Sequence, residues 1–403
     1  MMREPKSNDV PDIKPNQAGM ITQVREYQLI TPLFGGGVIP AEADPVTVVR
    51  GTEVRGHLRF WWRATQGGRF EGDLAKMKKA EDDLWGAAVS EKVRGPSRVQ
   101  VAVEVTKQGK AVSQSKQPKY VAFPLVETNG SVREDVHFKL ELTLVADPED
   151  KEGKKNPARW DEVQAALWAW ETFGGIGART RRGFGALQCL KIDTQDVSPP
   201  QSKKQVDQLI TEGLTKYVSA GQWPADMPHL ERNALYRTIY NPGGPTSVWG
   251  KLVEKLKEFR QNRDGNQGYG HSRWPEPDAI RALKGRPPRR PRQVITKFPR
   301  AHFGLPIIFH MPHDNGLEDF TLQGDGHDRL ASPLLLRPIA CANGAVGVAL
   351  ILKTPPLPRD LPISEKGGGS YTVQTNLTAT QAGNILPLNG KTDVLKAFLD
   401  TLN

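Results

Sequence analysis

Phe173-Gly-Gly-Ile-Gly-Ala-Arg-Thr-Arg-Arg-Gly-Phe-Gly-Ala-Leu187 is the stretch on which the reading of this chain turns. It holds five glycines, three arginines, one threonine and two phenylalanines. Residues 157–172 before it have helical composition, and residues 186–192 after it read as a strand. Glycine lacks a Cβ and lets another backbone approach closely. Arginine carries a permanent planar charge suited to phosphate. A Walker loop needs a preceding strand and a terminal Gly-Lys-Ser/Thr, and a dinucleotide fingerprint opens a helix. Here a helix is closed and a strand opened, so the helix end facing the loop is the negative one. Phosphate then falls to Arg179, Arg181, Arg182 and loop amides. The bland alternative is a helix cap at Gly174 followed by a solvated basic turn.

A second basic stretch lies upstream. Residues 53–65 have helical composition, and Arg55, Arg59 and Arg63 recur at every fourth position, one stripe of a helix. Leu58, Trp61, Trp62 and Ala64 can supply its buried side. Such a stripe repels itself unless an anion or acidic partner is near; an ordinary amphipathic helix with a solvated arginine face is the other reading. The whole chain has 403 residues and a net charge of +10. That length allows two or three domains, and that charge favours an acidic partner without identifying it. Cys189 and Cys341 lie far apart in apolar, strand-like surroundings, a pattern of buried thiols in a reducing compartment. No apolar run reaches the length of a membrane helix, and residues 1–17 read as a short flexible arm without a secretory signal.

Taken in order, residues 23–33 read as a strand, 76–87 as a helix, and 99–106 and 137–145 as half-buried strands. The polar segment 107–134 reads as an insertion. Asn156 is placed to cap the helix at 157–172, with Pro157 at its first position. Trp160, Val163, Ala166, Leu167 and Trp170 share its buried face. The first half therefore has the β-α-β-β-α-β order of a ferredoxin-like or RRM-like unit. A polar, proline-containing tract at 193–204 sets the boundary between domains 1–195 and 196–403. In the second, 205–218, 230–239 and 248–261 look helical, 304–311 and 345–353 strand-like, and 393–402 a short helix. The arginine- and proline-rich run 285–300 is expected to stay extended and to meet an anion.

Catalytic motifs are sparse. His302, His310, His313 and His327 with Asp325 and Asp328 lack zinc-site spacing. There is no nucleophile elbow. A metal-independent ribonuclease needs only an acid, a base and a cation near a 2′-OH; His57 and His302 are the candidates.

The loop at 173–185 closely resembles the glycine-rich loop of the RAMP superfamily of CRISPR proteins. Thr31-Pro-Leu-Phe-Gly-Gly-Gly37 and Arg50-Gly-Thr-Glu-Val-Arg-Gly-His-Leu-Arg-Phe-Trp-Trp-Arg-Ala64 narrow the resemblance to the first subunit of type III-B Cmr effectors. His302-Phe-Gly-Leu-Pro-Ile307 and Arg329-Leu-Ala-Ser-Pro-Leu334 extend it into the second half. The resemblance implies an α+β fold of two ferredoxin-like domains, the second more irregular with helical insertions. It implies a cytoplasmic, non-catalytic RNA-binding subunit without cofactor or metal, near the 3′ end of the guide RNA, that helps capture complementary target RNA. The implied protein partners are a neighbouring RAMP head subunit and the backbone subunit, which does the cutting. Two alternatives stand: a RAMP endoribonuclease that matures guide RNA, and an adaptor that docks partner subunits. RNA contact is expected at Arg50, Arg55, His57, Arg59 and Arg63 on the arginine helix. In the loop it is expected at Gly174, Gly175, Gly177, Arg179, Thr180, Arg181 and Arg182. Lys297, Arg300, His302 and Arg329 complete the set, with Trp61 or Phe184 available to stack a base.

Overall fold

The computed structural model describes residues 20–37, 44, 46–87, 95–113, 117–128, 131–145, 155–264, 270–289, 294–311, 314, 316–324, 326 and 329–402. Strand β1 (Ile21–Leu29) leads to helices α1 (Gly51–Gln66) and α2 (Leu74–Trp85), then strand β2 (Val99–Lys107). An excursion of β3 (Lys110–Ser113), α3 (Lys119–Thr128) and β4 (Ser131–Glu134) precedes β5 (His137–Leu144). Helix α4 (Lys155–Phe173), β6 (Leu187–Ile192) and β7 (Gln195–Asp196) complete the first half. The sheet runs β2-β5-β1-β6-β7 and is antiparallel throughout. Alternation along β1 buries Arg25, Tyr27 and Leu29, and the helical spacing of α4 buries Val163, Ala166, Leu167 and Trp170. These meet Leu58 and Trp62 of α1 in one core. Arg25 ties β1 to α4 through Glu171 at 2.7 Å.

Two sequence expectations change here. Asn156 lies inside α4, which begins a residue earlier, so it does not cap that helix. Residues 230–239 are not a helix: β8 (Tyr236–Asn241) occupies their end, and its Tyr, Thr and Ile residues suit a pleated strand.

Downstream of α5 (Lys203–Tyr217) and β8 come α6 (Gly244–Arg260), α7 (Glu276–Leu283), β9 (Ile307–Phe309), β10 (Phe320–Leu322), β11 (Leu334–Cys341) and β12 (Gly344–Ile351). The chain ends in β13 (Asp360–Glu365), β14 (Ser370–Gln374), α8 (Ala379–Gly383) and α9 (Val394–Leu399). Strands β11-β12-β8 form a three-stranded antiparallel sheet with α6 against it. Gly347 of β12 makes room for α6: a Cβ there would stand 2.9 Å from Leu252 Cδ1. A separate sheet, β14-β13-β10-β9, encloses its own core with Ala279 and Ile280 of α7. The fold is therefore α+β with antiparallel sheets. No helix among the described residues is long and apolar enough to cross a membrane.

The two halves are joined at the glycine-rich loop. Arg337 of β11, 1% exposed, donates to the carbonyls of Gly174, Glu171 and Leu187. It thereby supplies donors to carbonyls at the end of α4, where the helix leaves them unpaired. From α6, Trp249 Nε1 donates to the Arg182 carbonyl at 2.7 Å.

Candidate nucleic-acid interface

The loop after α4 closes on itself and on the rest of the chain. The Ile176 amide donates to the Gly185 carbonyl at 3.0 Å, Ala178 to Phe34 at 2.7 Å and Gly185 to Pro32 at 2.8 Å. Glu53 of α1 takes the Gly177 amide at 2.7 Å. Gly174 and Gly175 are buried. A Cβ on Gly174 would stand 2.6 Å from Trp61 Nε1, and one on Gly175 would stand 2.8 Å from the Gly185 carbonyl. Gly177 combines a φ of +82° with Leu33 and Phe34 atoms 2.7 Å from a built Cβ. The glycines expected to face a phosphate chain are thus needed for close packing of this chain against itself. Among the loop amides that find no acceptor among the described residues, those of Arg179, Thr180 and Arg181 are successive. Arg179 is left-handed (φ 57°) and opens a tight 3-10 turn, Thr180–Arg182. Successive free amides in such a turn form a concavity suited to an anion.

Carbonyls hold the three loop arginines, and no carboxylate pairs with them among the described residues. Arg179 Nη1 donates to Val121 O at 3.0 Å, with its guanidinium over the rings of Phe34 and Phe123. Arg181 donates to Ser332 O and lies over Phe60. Arg182 donates to Leu334 O at 3.0 Å. Burial, together with the charge of Arg260, pushes the Arg182 guanidinium down to about 9. Burial also lowers Arg179, with a further contribution from the neighbouring charge of Arg329. Arg329 is exposed. The loop is consequently the centre of a cluster of like charges that no carboxylate among the described residues compensates.

The arginine helix differs. Arg59 Nε stands 2.7 Å from Glu81 Oε1, and Arg63 reaches the same oxygen. Arg55 is held by the carbonyl of Trp85, and Arg50 by that of Gly36. The stripe expected to face RNA is instead engaged by α2 and the residues after it. For Arg59 and Arg63 the acidic partner that the stripe calls for comes from this chain, as Glu81. His57 sits 3.9 Å from Glu53, one turn away.

The remaining expected contacts separate. Lys297 binds the Gln374 side chain. Arg300 is 3.2 Å from buried Glu276 and donates to Arg260 O. His302 is half-buried, and burial pushes its pKa down. In the run 285–300, Arg289 pairs with Asp314 at 2.9 Å, and residues 290–293 lie outside the described residues. Trp61 and Phe184 are 3% and 0% exposed, so neither offers a face to a base. Of the histidines and aspartates that lack zinc-site spacing in the sequence, His310 is 2.8 Å from Asp319, while His313, Asp325, His327 and Asp328 lie outside the described residues. No group of three metal-ligating side chains occurs among the described residues. Sequence reasoning missed Arg260, Arg337 and Phe123. A lone arginine in the apolar run 334–341 was the available signal for Arg337.

Residues 26–188 match the family model of the RAMP superfamily. The CRISPR system Cmr subunit Cmr1-2 of Pyrococcus furiosus is 26% identical over 187 residues, 42% of this chain and 95% of that protein. The crystal structure of apo Cmr1 from the same organism superposes with a TM-score of 0.53 at 16% identity, covering 84% of this chain and 90% of that one. A chain of the type III-B Cmr-beta complex bound to cognate target RNA gives 0.54 at 13% identity, covering 94% and 99%. The matched segment contains the end of β1, the arginine helix, α4 and the glycine-rich loop. Residues 26–188 thus carry the likeness to the RAMP superfamily, and the chain resembles the first subunit of the type III-B CRISPR Cmr complex.

Proposed function

We propose that this chain is a non-catalytic RNA-binding subunit of a type III-B Cmr effector, working in the cytoplasm. It holds guide RNA near its 3′ end and helps admit the complementary target strand. A neighbouring RAMP head subunit and the backbone subunit are its protein partners. The observation that carries this reading is the guanidinium cluster of Arg179, Arg181 and Arg329, which no carboxylate among the described residues pairs, beside three successive loop amides without an acceptor among those residues. A fold spends carboxylates on such a cluster when it needs neutrality, as Glu81 does for Arg59 and Arg63. Uncompensated charge with free donors suits a phosphodiester backbone, where contacts position RNA without reading its sequence.

The same reading assigns two ferredoxin-like units, 1–195 and 196–403. The order β2-β5-β1-β6 in the first supports it. In the second, β8, α6, β11 and β12 follow that pattern through three strands. The test is affinity of the full chain for single-stranded RNA of two unrelated sequences across a salt series. Arg179→Gln combined with Arg329→Gln should weaken both alike and flatten the salt dependence by about 0.7 for each phosphate no longer held. A pair variant with the parent's affinity and slope refutes the assignment.

A further inference from the structure

Phe123 exposes 53% of its surface, more than any other aromatic side chain among the described residues. It is not a loose residue. Its neighbours Val121 and Ala122 are 2% and 1% exposed and share a core with Phe34, Phe184 and Trp249. Their amides are both fixed on Pro118 O at 3.1 Å, so the first turn of α3 is anchored and Phe123 points out of it. Burying that ring would be favourable; the anchored turn instead presents it to solvent.

The Arg179 guanidinium lies 4.8 Å from the Phe123 ring centroid. Its own position is set by Val121 O and by Phe34 on another side. Arg329 adds exposed positive charge beside it. A flat apolar ring, polarised by a guanidinium and bordered by cations that no carboxylate among the described residues pairs, matches the chemistry of a nucleotide: a π-face joined to a phosphate.

We infer that Phe123, backed by Arg179, is a stacking platform for one unpaired nucleobase of single-stranded RNA, with Arg329 taking an adjacent phosphate. The inference rests on the RNA-binding reading above and adds to it a preference for strand state. A paired base has both faces covered by its neighbours, whereas an unpaired one can leave the stack and lie on the ring. Stacking tolerates every base, so the platform selects single strands without selecting sequence.

The test uses the full chain, a single-stranded oligoadenylate and an abasic strand of equal length and charge. Phe123→Ala should weaken oligoadenylate binding about tenfold, leave the abasic strand and the salt slope unchanged, and melt with the parent. Phe123→Tyr should restore affinity. Phe123→Leu should not, because it keeps the apolar bulk without a π-face. Equal oligoadenylate affinity in the Ala variant overturns the platform, as does full affinity in the Leu variant. Equal losses on both strands also overturn it and point to packing or a protein-facing ring. A parent chain that binds neither strand overturns the RNA-binding reading itself, and the platform with it.

Discussion

The pairing of α1 with α2 is open to a quantitative perturbation. Glu81 has a side chain 3% exposed and receives both Arg59 and Arg63, whose side chains are 23% and 26% exposed. Replacing both arginines with methionine leaves a buried carboxylate without its cations. Breaking a buried pair from one side costs about 3–5 kcal/mol. The arginines are partly solvated, and water can enter where they stood, so a value near about 3 kcal/mol is expected. For a folding unit near 200 residues, that lowers the melting temperature by roughly 6–12 °C. Adding Glu81→Leu to the double variant should recover most of the loss, since an ion cluster replaced as a whole by apolar groups is often neutral. Thermal unfolding of the parent, double and triple variants measures this directly, with RNA affinity measured alongside. The sequence alone predicts the opposite outcome, a spared fold and weakened RNA binding. A double variant that melts with the parent and loses salt-dependent RNA affinity would refute the internal-pairing account.

Two further outcomes follow from local geometry. Gly177→Val forces a β-branched residue to φ +82° and sets its Cβ 2.7 Å from Leu33 and Phe34 atoms. A destabilisation of roughly 2–5 kcal/mol is expected from backbone and overpacking together, and a melting temperature equal to the parent's would show that the loop does not hold this conformation. His302 has its pKa lowered by burial, so the unfolded chain takes up a proton first as pH falls below about 6.5. Stability should therefore decline from that point down to the folded pKa. His302→Gln should remove part of that decline, as read from denaturant midpoints at pH 7.5 and 5.5; an unchanged pH dependence removes His302 as a contributor.

The first half was readable because its signals are local. Period-two burial in β1, β2 and β5, and helical spacing in α4, each bury one face. The arginine stripe was readable as a stripe, but its fate was not: Glu81 lies 18 residues from Arg63, and only the packing of α2 on α1 brings it there. The loop's glycines announced close approach correctly, yet the atoms approaching them come from Trp61, Phe34 and Gly185, not from a ligand. Residues 230–239 misled because a short strand inside a sheet gains its stability from the partner β12, which begins more than a hundred residues later. Phe123 gave no signal at all, since exposure of a ring in an insertion is decided by which neighbours the insertion finds.

The loop arginines show how one segment can serve both fold and charge. A guanidinium has five N–H donors. Arg179 and Arg181 each give one carbonyl a hydrogen bond, on Val121 and Ser332, while Arg182 reaches Leu334 and Phe303. A carbonyl fixes the direction of an arginine but cannot cancel its charge. Had the chain used aspartate or glutamate at those positions, the loop would be equally well tied to β11 and electrically silent. Carbonyl anchoring keeps the cations in place without a carboxylate among the described residues, so on the RNA-binding reading proposed above an arriving anion would find donors already placed. Arg182, the most enclosed of the three and bonded across to both Leu334 and Phe303, then carries the structural share. Arg179, with exposed Arg329 and Phe123 beside it, carries the share that faces outward.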